Sequence, residues 1–86
     1  MSLQEELIKL IFDVCEIDGY EEGAIGHDDP LLGPAADLEL DSLDVLEIVI
    51  VIQKKYGIKI ENKSTAIEIL ESANTLAGFV EKERQN

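Results

Sequence analysis

The chain has 86 residues, which is enough for one domain, and we treat residues 1–86 as a single domain. It contains 19 acidic and 7 basic residues, for a formal net charge of −12 at pH 7. Nucleic acid and anionic membrane surfaces are excluded as partners, because both require positive charge on the protein. Two interpretations of the acidity remain: solubility alone, or attraction of a partner protein with a basic surface.

Cysteine and histidine are too scarce for most enzymatic and metal sites. Cys15 is the only cysteine and His27 the only histidine, so a disulfide within the chain and a multi-histidine metal site are both excluded. A calcium loop starting at Asp37 would place Ser42 where glycine is needed and Ile48 where a bidentate glutamate is needed. We therefore expect no metal site and no enzymatic activity. The single thiol, which we expect to be a small core residue, and the lack of a secretory pattern predict a cytoplasmic protein.

The first helix is predicted to begin after Ser2, where Ser2 and Glu5 form the pattern of a capping box, and to end near Ile17. A long loop follows from Asp18 to Asp41, which holds most of the glycines and both prolines. Loops of this length are uncommon in small domains unless they are functional or packed by their own side chains. The loop side chains expected to pack inward are Ile25, Leu31, Leu32 and Leu38.

The second helix is predicted from about Ser42 to Tyr56, with Asp41 as its N-terminal cap and Gly57 as its C-terminal residue. The β-branched run in its middle would suit a strand by propensity. The apolar pattern is longer than a typical strand, however, and therefore favours a helix. A short extended segment, Ile58–Ile60, follows.

Two further helices complete the predicted fold. The third is short, from about Ser64 to Leu70, and the last is capped by Asn74 or Thr75, with a polar tail from Glu81 that is expected to fray. The residues that the last helix is expected to bury are Leu76, Phe79 and Val80. The predicted fold class is all-α: a small four-helix bundle with a long loop between helices 1 and 2 and a short third helix.

Helix 2 has more apolar surface than one buried face requires. At about 100° per residue, one apolar stripe consists of Val45, Ile48, Val49 and Ile52, and a second stripe consists of Leu43, Leu46 and Ile50. A surface helix of a bundle buries one stripe, so the second indicates either a central helix or a surface for a partner or cargo. We predict a cargo space between helices 2 and 3, lined by Leu46, Ile50, Ile67 and Leu70.

Ser42 stands at the start of helix 2 in the tetrapeptide Asp41-Ser42-Leu43-Asp44. The tripeptide Asp-Ser-Leu is weak evidence by itself, because a serine at this position is often an ordinary helix cap. The long loop before it and the acidic, doubly apolar helix after it add to the pattern. Together with Glu47, the Tyr56-Gly57 pair, the Ile58–Ile60 segment and the loop sequence 29–33, this arrangement resembles the acyl carrier protein family over nearly the whole chain.

The resemblance implies that a phosphopantetheinyl transferase attaches 4'-phosphopantetheine from coenzyme A to Ser42, and that cargo is carried on this arm as a thioester. It implies a partner-facing surface made of Asp41, Leu43, Asp44, Leu46, Glu47 and Ile50. The implied partners are ketosynthase, acyltransferase or ligase-type enzymes with basic docking surfaces, in fatty-acid, lipid or polyketide biosynthesis. The carrier itself is expected to be a monomer.

Two alternatives stay open at this point. A peptidyl or D-alanyl carrier shares the fold and the modified serine, and an acidic helical interaction module without a prosthetic group would use Ser42 only as a cap. The segment Gln53-Lys54-Lys55 also departs from the acidic continuation common in the family. That departure argues against the usual fatty-acid synthase partners.

Overall fold

Four α-helices make up the regular structure of residues 2–33, 36, 38 and 40–84, which are the residues described by the computed structural model. They are α1 (Leu3–Val14), α2 (Ser42–Tyr56), α3 (Lys63–Ile69) and α4 (Ala73–Arg84). Within these described residues there is no β-strand. Helix α1 packs against α2 and α4, and the short α3 packs against the same two helices. The predicted all-α fold class is confirmed.

Helix α1 ends earlier than the sequence pattern predicted. It stops at Val14, followed by Cys15 as the C-terminal cap and Glu16 with a left-handed φ of 55°. A residue in that conformation cannot continue a right-handed helix, which is why the apolar pattern towards Ile17 is not helical. Cys15 is half-buried against the core, close to the role predicted for it.

The N-terminus of α1 forms only half of the predicted capping box. The Ser2 hydroxyl accepts a hydrogen bond from Glu5 N at 3.2 Å. The Glu5 carboxylate is turned inward and is buried, with 4% of its surface exposed. There it accepts hydrogen bonds from Tyr20 Oη at 2.5 Å, His27 Nε2 at 3.0 Å and Gly23 N at 3.3 Å. One buried carboxylate therefore fastens three points of the long loop to α1.

These hydrogen bonds decide the protonation of Glu5. The hydrogen bond from Tyr20 is the main cause that holds the pKa of Glu5 below its ordinary value, and His27 and Gly23 act in the same direction. Burial opposes them by disfavouring the charged form. The same contact raises the pKa of Tyr20 to about 12, so its hydroxyl remains a donor at neutral pH.

The far side of the loop is tied to the junction between α3 and α4. Asn74 N donates to His27 O at 2.9 Å, and Asn74 Nδ2 donates to Asp28 Oδ1 at 2.6 Å. Leu31 N donates to Glu71 O at 3.2 Å. The side chains predicted to pack from this loop do so, since Ile25, Leu31 and Leu38 are buried and Leu32 is half-buried.

Helix α2 has the predicted limits. It begins at Ser42 and ends at Tyr56, and the next residue, Gly57, has a φ of 65°, the left-handed conformation typical of a glycine after a helix. The first apolar stripe, Val45, Ile48, Val49 and Ile52, is buried in the core. The second stripe, Leu43, Leu46 and Ile50, remains exposed.

The start of α4 corrects the predicted cap. The helix begins at Ala73, and the Ser72 hydroxyl accepts from Thr75 N at 3.1 Å, which is the geometry of an N-terminal cap. Neither Asn74 nor Thr75 is the cap, because Asn74 is engaged with the loop and Thr75 is a donor to Ser72. Of the predicted buried residues, Leu76 and Val80 are buried, whereas Phe79 is half-buried.

The end of α4 also differs from the prediction. The first part of the predicted tail, from Glu81 to Arg84, is helical and belongs to α4, and residues 85 and 86 lie outside the described residues. Arg84 Cζ lies 5.7 Å from the centre of the Tyr56 ring, which gives the last turn a contact with α2. Helix α3 starts at Lys63, one residue before the predicted Ser64, because Asn62 Oδ1 accepts from Thr65 N at 2.9 Å. In the described part of the chain, no helix is both long and apolar enough to cross a membrane.

Replacing Glu5 by glutamine should destabilise the protein by about 1–3 kcal/mol at pH 7, because the amide offers one acceptor oxygen where the carboxylate offers two. Urea denaturation measures the effect. Glu68→Gln, which removes one negative charge from an exposed position on α3, is the control. Equal urea midpoints for the two variants would contradict the role of Glu5.

The difference in unfolding free energy between wild type and Glu5→Gln should also depend on pH. Since the Glu5 pKa is lowered in the folded protein, its stabilising contribution is complete above about pH 5 and is lost as the pH falls through the folded-state pKa. The difference between wild type and Glu5→Gln should therefore shrink in acid.

Candidate functional site

The start of α2 is closed by two aspartates that cap each other's backbone. Asp41 Oδ1 accepts from Asp44 N at 2.9 Å, and Asp44 Oδ2 accepts from Asp41 N at 3.1 Å. This is a complete capping box with Asp41 at the cap position. Ser42 is the first residue of the helix, so the alternative in which Ser42 serves only as the cap is wrong: Asp41 performs that function.

The capping arrangement leaves the Ser42 side chain exposed. Among the residues that the structure describes, no group forms a hydrogen bond with its hydroxyl. The hydroxyl lies at the positive end of the α2 dipole, where a bound phosphate is favoured, although the Asp41 and Asp44 carboxylates lie close by. An external enzyme can therefore reach this oxygen without breaking a contact that holds the fold.

An open groove of about 450 Å³ begins at Ser42 and runs between α2 and the chain from Ile60 to Ala66. Its size is that of an ordinary small-molecule site. The exposed apolar side chains on its α2 wall are Leu43 at 69%, Leu46 at 56% and Ile50 at 41% of their full surface. The complete lining is Ser42, Leu43, Val45, Leu46, Val49, Ile50, Gln53, Ile60, Glu61, Asn62, Lys63 and Ala66.

The structure separates the residues predicted to line the cargo space. Leu46 and Ile50 lie in the groove. Leu70 is fully buried in the core and does not line the groove. Ile67 lies instead at a second depression of about 620 Å³ on the loop side of Ser42, lined by Pro30, Leu32, Gly33, Leu40, Asp41, Ser42, Val45, Lys63, Ile67 and Glu71. Ser42 thus stands where the two depressions meet.

Several groove residues were not singled out from the sequence. Val45 and Val49 belong to the buried stripe but also reach the groove from its edge, with 8% and 9% of their surface exposed. Ile60 follows from the alternation of Ile58 and Ile60 around an exposed lysine, which is the pattern of an extended segment with one buried side. No local sequence pattern indicates that Gln53 lies in the groove, because the position of its side chain depends on a hydrogen bond from Ile60 N, seven residues later.

Asp44 and Glu47, two of the acidic residues predicted to face partners, lie on the face of α2 that adjoins α1. By helical spacing they share this face with Val51, which lines a depression together with Val14 of α1. The pKa of the Cys15 thiol, at the end of α1, is raised to about 11, first by burial and then by the negative charges of Asp44 and Glu47. The thiol consequently stays protonated at neutral pH and is a weak nucleophile.

The lysines at the end of α2 have unequal surroundings. Lys55 Nζ lies 3.5 Å from Glu6 Oε1 and 5.7 Å from the centre of the Tyr56 ring, so it is engaged within the protein. Lys54 is exposed next to it. The described residues contain no cluster of potential metal ligands. Asp37, where the rejected calcium loop would start, lies outside the described residues.

The model of the family described as the phosphopantetheine attachment site matches residues 8–81. The chain belongs to this family. The carrier therefore takes a covalent 4'-phosphopantetheine group, and carrier domains of this kind are generally not catalytic. The chain has no match among curated proteins or among solved structures.

The residues at the start of α2 fit such a group. A covalent arm needs an exposed hydroxyl that no structural contact occupies, and Ser42 meets this requirement as far as the described residues show. The groove of about 450 Å³ opens at this serine. The interaction module without a prosthetic group is therefore not supported for this carrier.

Proposed function

We propose that Ser42 carries the 4'-phosphopantetheine arm and that this protein is an acyl carrier of the cytoplasm. It would deliver acyl groups, held as thioesters, to enzymes of fatty-acid, lipid or polyketide-type biosynthesis. The observation that carries the proposal is the position of Ser42: its exposed hydroxyl, to which no described residue forms a hydrogen bond, stands at the mouth of a groove whose α2 wall is largely apolar.

The chain contributes the nucleophile and its placement, and the transferase contributes the remaining chemistry. Ser42 Oγ forms a new O–P bond while a P–O bond in the pyrophosphate of coenzyme A breaks. The nucleotide leaves with the other phosphate, and the hydroxyl proton passes to a base of the transferase. Asp41 and Asp44 are occupied as caps, so their task is to hold the helix start. Once attached, the arm supplies the thiol that holds an acyl group in activated form.

The groove favours acyl cargo over peptidyl or D-alanyl cargo. Leu46, Val49 and Ile50 form an apolar wall, and each methylene that leaves water for such a surface stabilises the sheltered state by about 0.8 kcal/mol. A short cargo with a charged amine gains little from this wall and must lose hydration to enter it. Peptidyl or D-alanyl loading remains an outcome that experiment can reveal.

The partner surface would combine an exposed apolar residue, which contacts the partner, with acidic residues, which orient a partner of basic charge. Leu43 is the most exposed large apolar residue of α2 and lies one residue after Ser42. Asp44 and Glu47 place negative charge on the adjoining side of the helix. A transferase, ketosynthase, acyltransferase or ligase-type enzyme with a basic surface would be oriented by those charges while its entrance meets Ser42. The carrier would act as a monomer.

Incubation with coenzyme A and a promiscuous phosphopantetheinyl transferase should add one arm per chain, at Ser42. Intact mass and peptide mapping measure the addition. Ser42→Ala should remain unmodified and keep the wild-type fold, because the helix cap is Asp41. Modification that persists in Ser42→Ala, or no modification of the wild type, would refute the assignment.

Loading of the holo protein by a generic fatty-acid pathway enzyme should depend on the charge along α2. Glu47→Lys should slow loading by roughly threefold or more at low salt, and Lys54→Glu should accelerate it, with both effects falling as salt rises. Lys59→Glu makes the same charge change outside the helix and is the control. Lys55 is unsuitable for this test because it pairs with Glu6.

An unchanged rate in Lys54→Glu would mean that this lysine only complements the C-terminal dipole of α2. An unchanged rate in Glu47→Lys would show that the charge of Glu47 does not orient the loading enzyme, and would contradict its place in the proposed partner surface.

A further inference from the structure

Gln53 is bonded to the following segment by both its backbone and its side chain. Its carbonyl oxygen accepts from the amides of Gly57 and Ile58, the latter at 3.2 Å. Its side-chain oxygen Oε1 accepts from Ile60 N at 2.8 Å, and the contact is partly buried. One glutamine therefore fixes the course of residues 57–60 against the end of α2.

This side-chain bond crosses the groove. Gln53 is the lining residue of α2 that lies furthest from Ser42, and Ile60 belongs to the opposite wall. The carboxamide consequently joins the two walls at the end remote from the arm. Gln53 is eleven positions after Ser42, and at a rise of about 1.5 Å per position the closed end lies roughly 16 Å along the helix.

The polarity of the groove changes at the same place. From Leu43 to Ile50 the α2 wall presents apolar side chains, and after Ile50 the next lining residue is the carboxamide of Gln53. A longer chain could pass only by displacing this carboxamide, which would leave the Ile60 amide without its acceptor. A partly buried amide that loses its partner opposes that displacement.

We propose that Gln53 is a specificity-determining residue that closes the groove and limits the length of acyl chain that the carrier shelters. The inference rests on the proposed function, since it presumes acyl cargo in this groove. Its cargo class is a straight saturated chain that ends before Gln53. Any methylenes beyond that length stay in water and are accessible to hydrolytic or elongating enzymes.

The test uses the full-length carrier loaded at Ser42 with saturated acyl chains from butyryl to palmitoyl. Urea unfolding gives the unfolding equilibrium constant of each form. In the wild type this constant should fall by about fourfold for each methylene that enters the groove, and then stop changing once the chain reaches Gln53. The plateau length is the quantity to compare among variants.

Gln53→Leu removes the acceptor at similar volume, and Gln53→Ala opens the end of the groove, so both should move the plateau to longer chains. Gln53→Glu keeps a carboxylate oxygen for the Ile60 amide and is the matched control, with a plateau at the wild-type length. Unfolding of each unloaded variant reports whether it folds. If Gln53→Leu does not fold, Gln53→Ala decides the question.

The possible failures are distinguishable. A wild type that gains stability with every added methylene up to palmitoyl, or variants with the wild-type plateau, would overturn the role of Gln53 and leave the acyl-carrier function intact. A wild type whose stability does not depend on chain length at all would refute cargo binding in the groove, and with it the role of Gln53. Failure of the proposed function is a different result: a wild type that takes no arm at Ser42 and cannot be loaded.

Discussion

The architecture depends on a mismatch between two helices that face each other. Helix α2 has 15 residues and spans roughly 22 Å, whereas α3 has 7 residues and spans roughly 10 Å. One apolar stripe of α2 is buried by the bundle core. The second stripe cannot be covered by a helix less than half as long, so Leu43, Leu46 and Ile50 remain accessible. The groove at Ser42 is the direct result of this incomplete cover.

At the start of α2, the residues that cap the helix are different from the residue proposed to be modified. Two aspartates satisfy each other's amides, and within the described part of the chain the hydroxyl of the serine between them has no hydrogen-bond partner. A serine used as the cap would have to give up its hydrogen bond when modified, at a cost of about 1 kcal/mol. Here the helix cap can be the same in the modified and the unmodified protein, because Asp41 and Asp44 form it without Ser42.

The long loop before Ser42 is held by hydrogen bonds to two helices, part-buried at α1 and exposed at α4. Glu5 fixes its first half from α1, and Asn74 fixes its middle from α4. These contacts lie on separate helices, so the loop also links the two ends of the chain. The course of the loop is thereby constrained as far as Leu31, whose amide donates to Glu71 O.

Sequence patterns correctly predicted the features of the fold that neighbouring residues determine, such as helix limits and apolar stripes. Asp41 and Gly57 mark the limits of α2, and its two apolar stripes follow from helical spacing alone. The end of α1 was missed because Glu16 adopts a left-handed conformation without glycine. Ser42 as the attachment site stays a prediction, which rests on its sequence neighbourhood and on its exposed position at the start of α2.

Contacts between residues far apart in the sequence could not be predicted from the spacing of apolar and polar residues. Whether Ile67 or Leu70 faces α2 depends on how the short α3 rotates against its neighbours, and the structure puts Leu70 in the core. The Glu5 cluster joins residues that are 15 to 22 positions apart. No periodicity encodes such pairs, because they arise only when the loop folds back on α1.

We expect the cargo of the arm at Ser42 to lie against the uncovered face of α2. Methyl chemical shifts of the holo carrier and of a long-chain acyl form measure this contact. The signals of Leu46, Val49 and Ile50 should change on acylation, while those of Leu76 in the distant core should stay constant. Changes confined to the immediate neighbourhood of Ser42 would show that the chain remains in solvent, and would contradict cargo binding on this face.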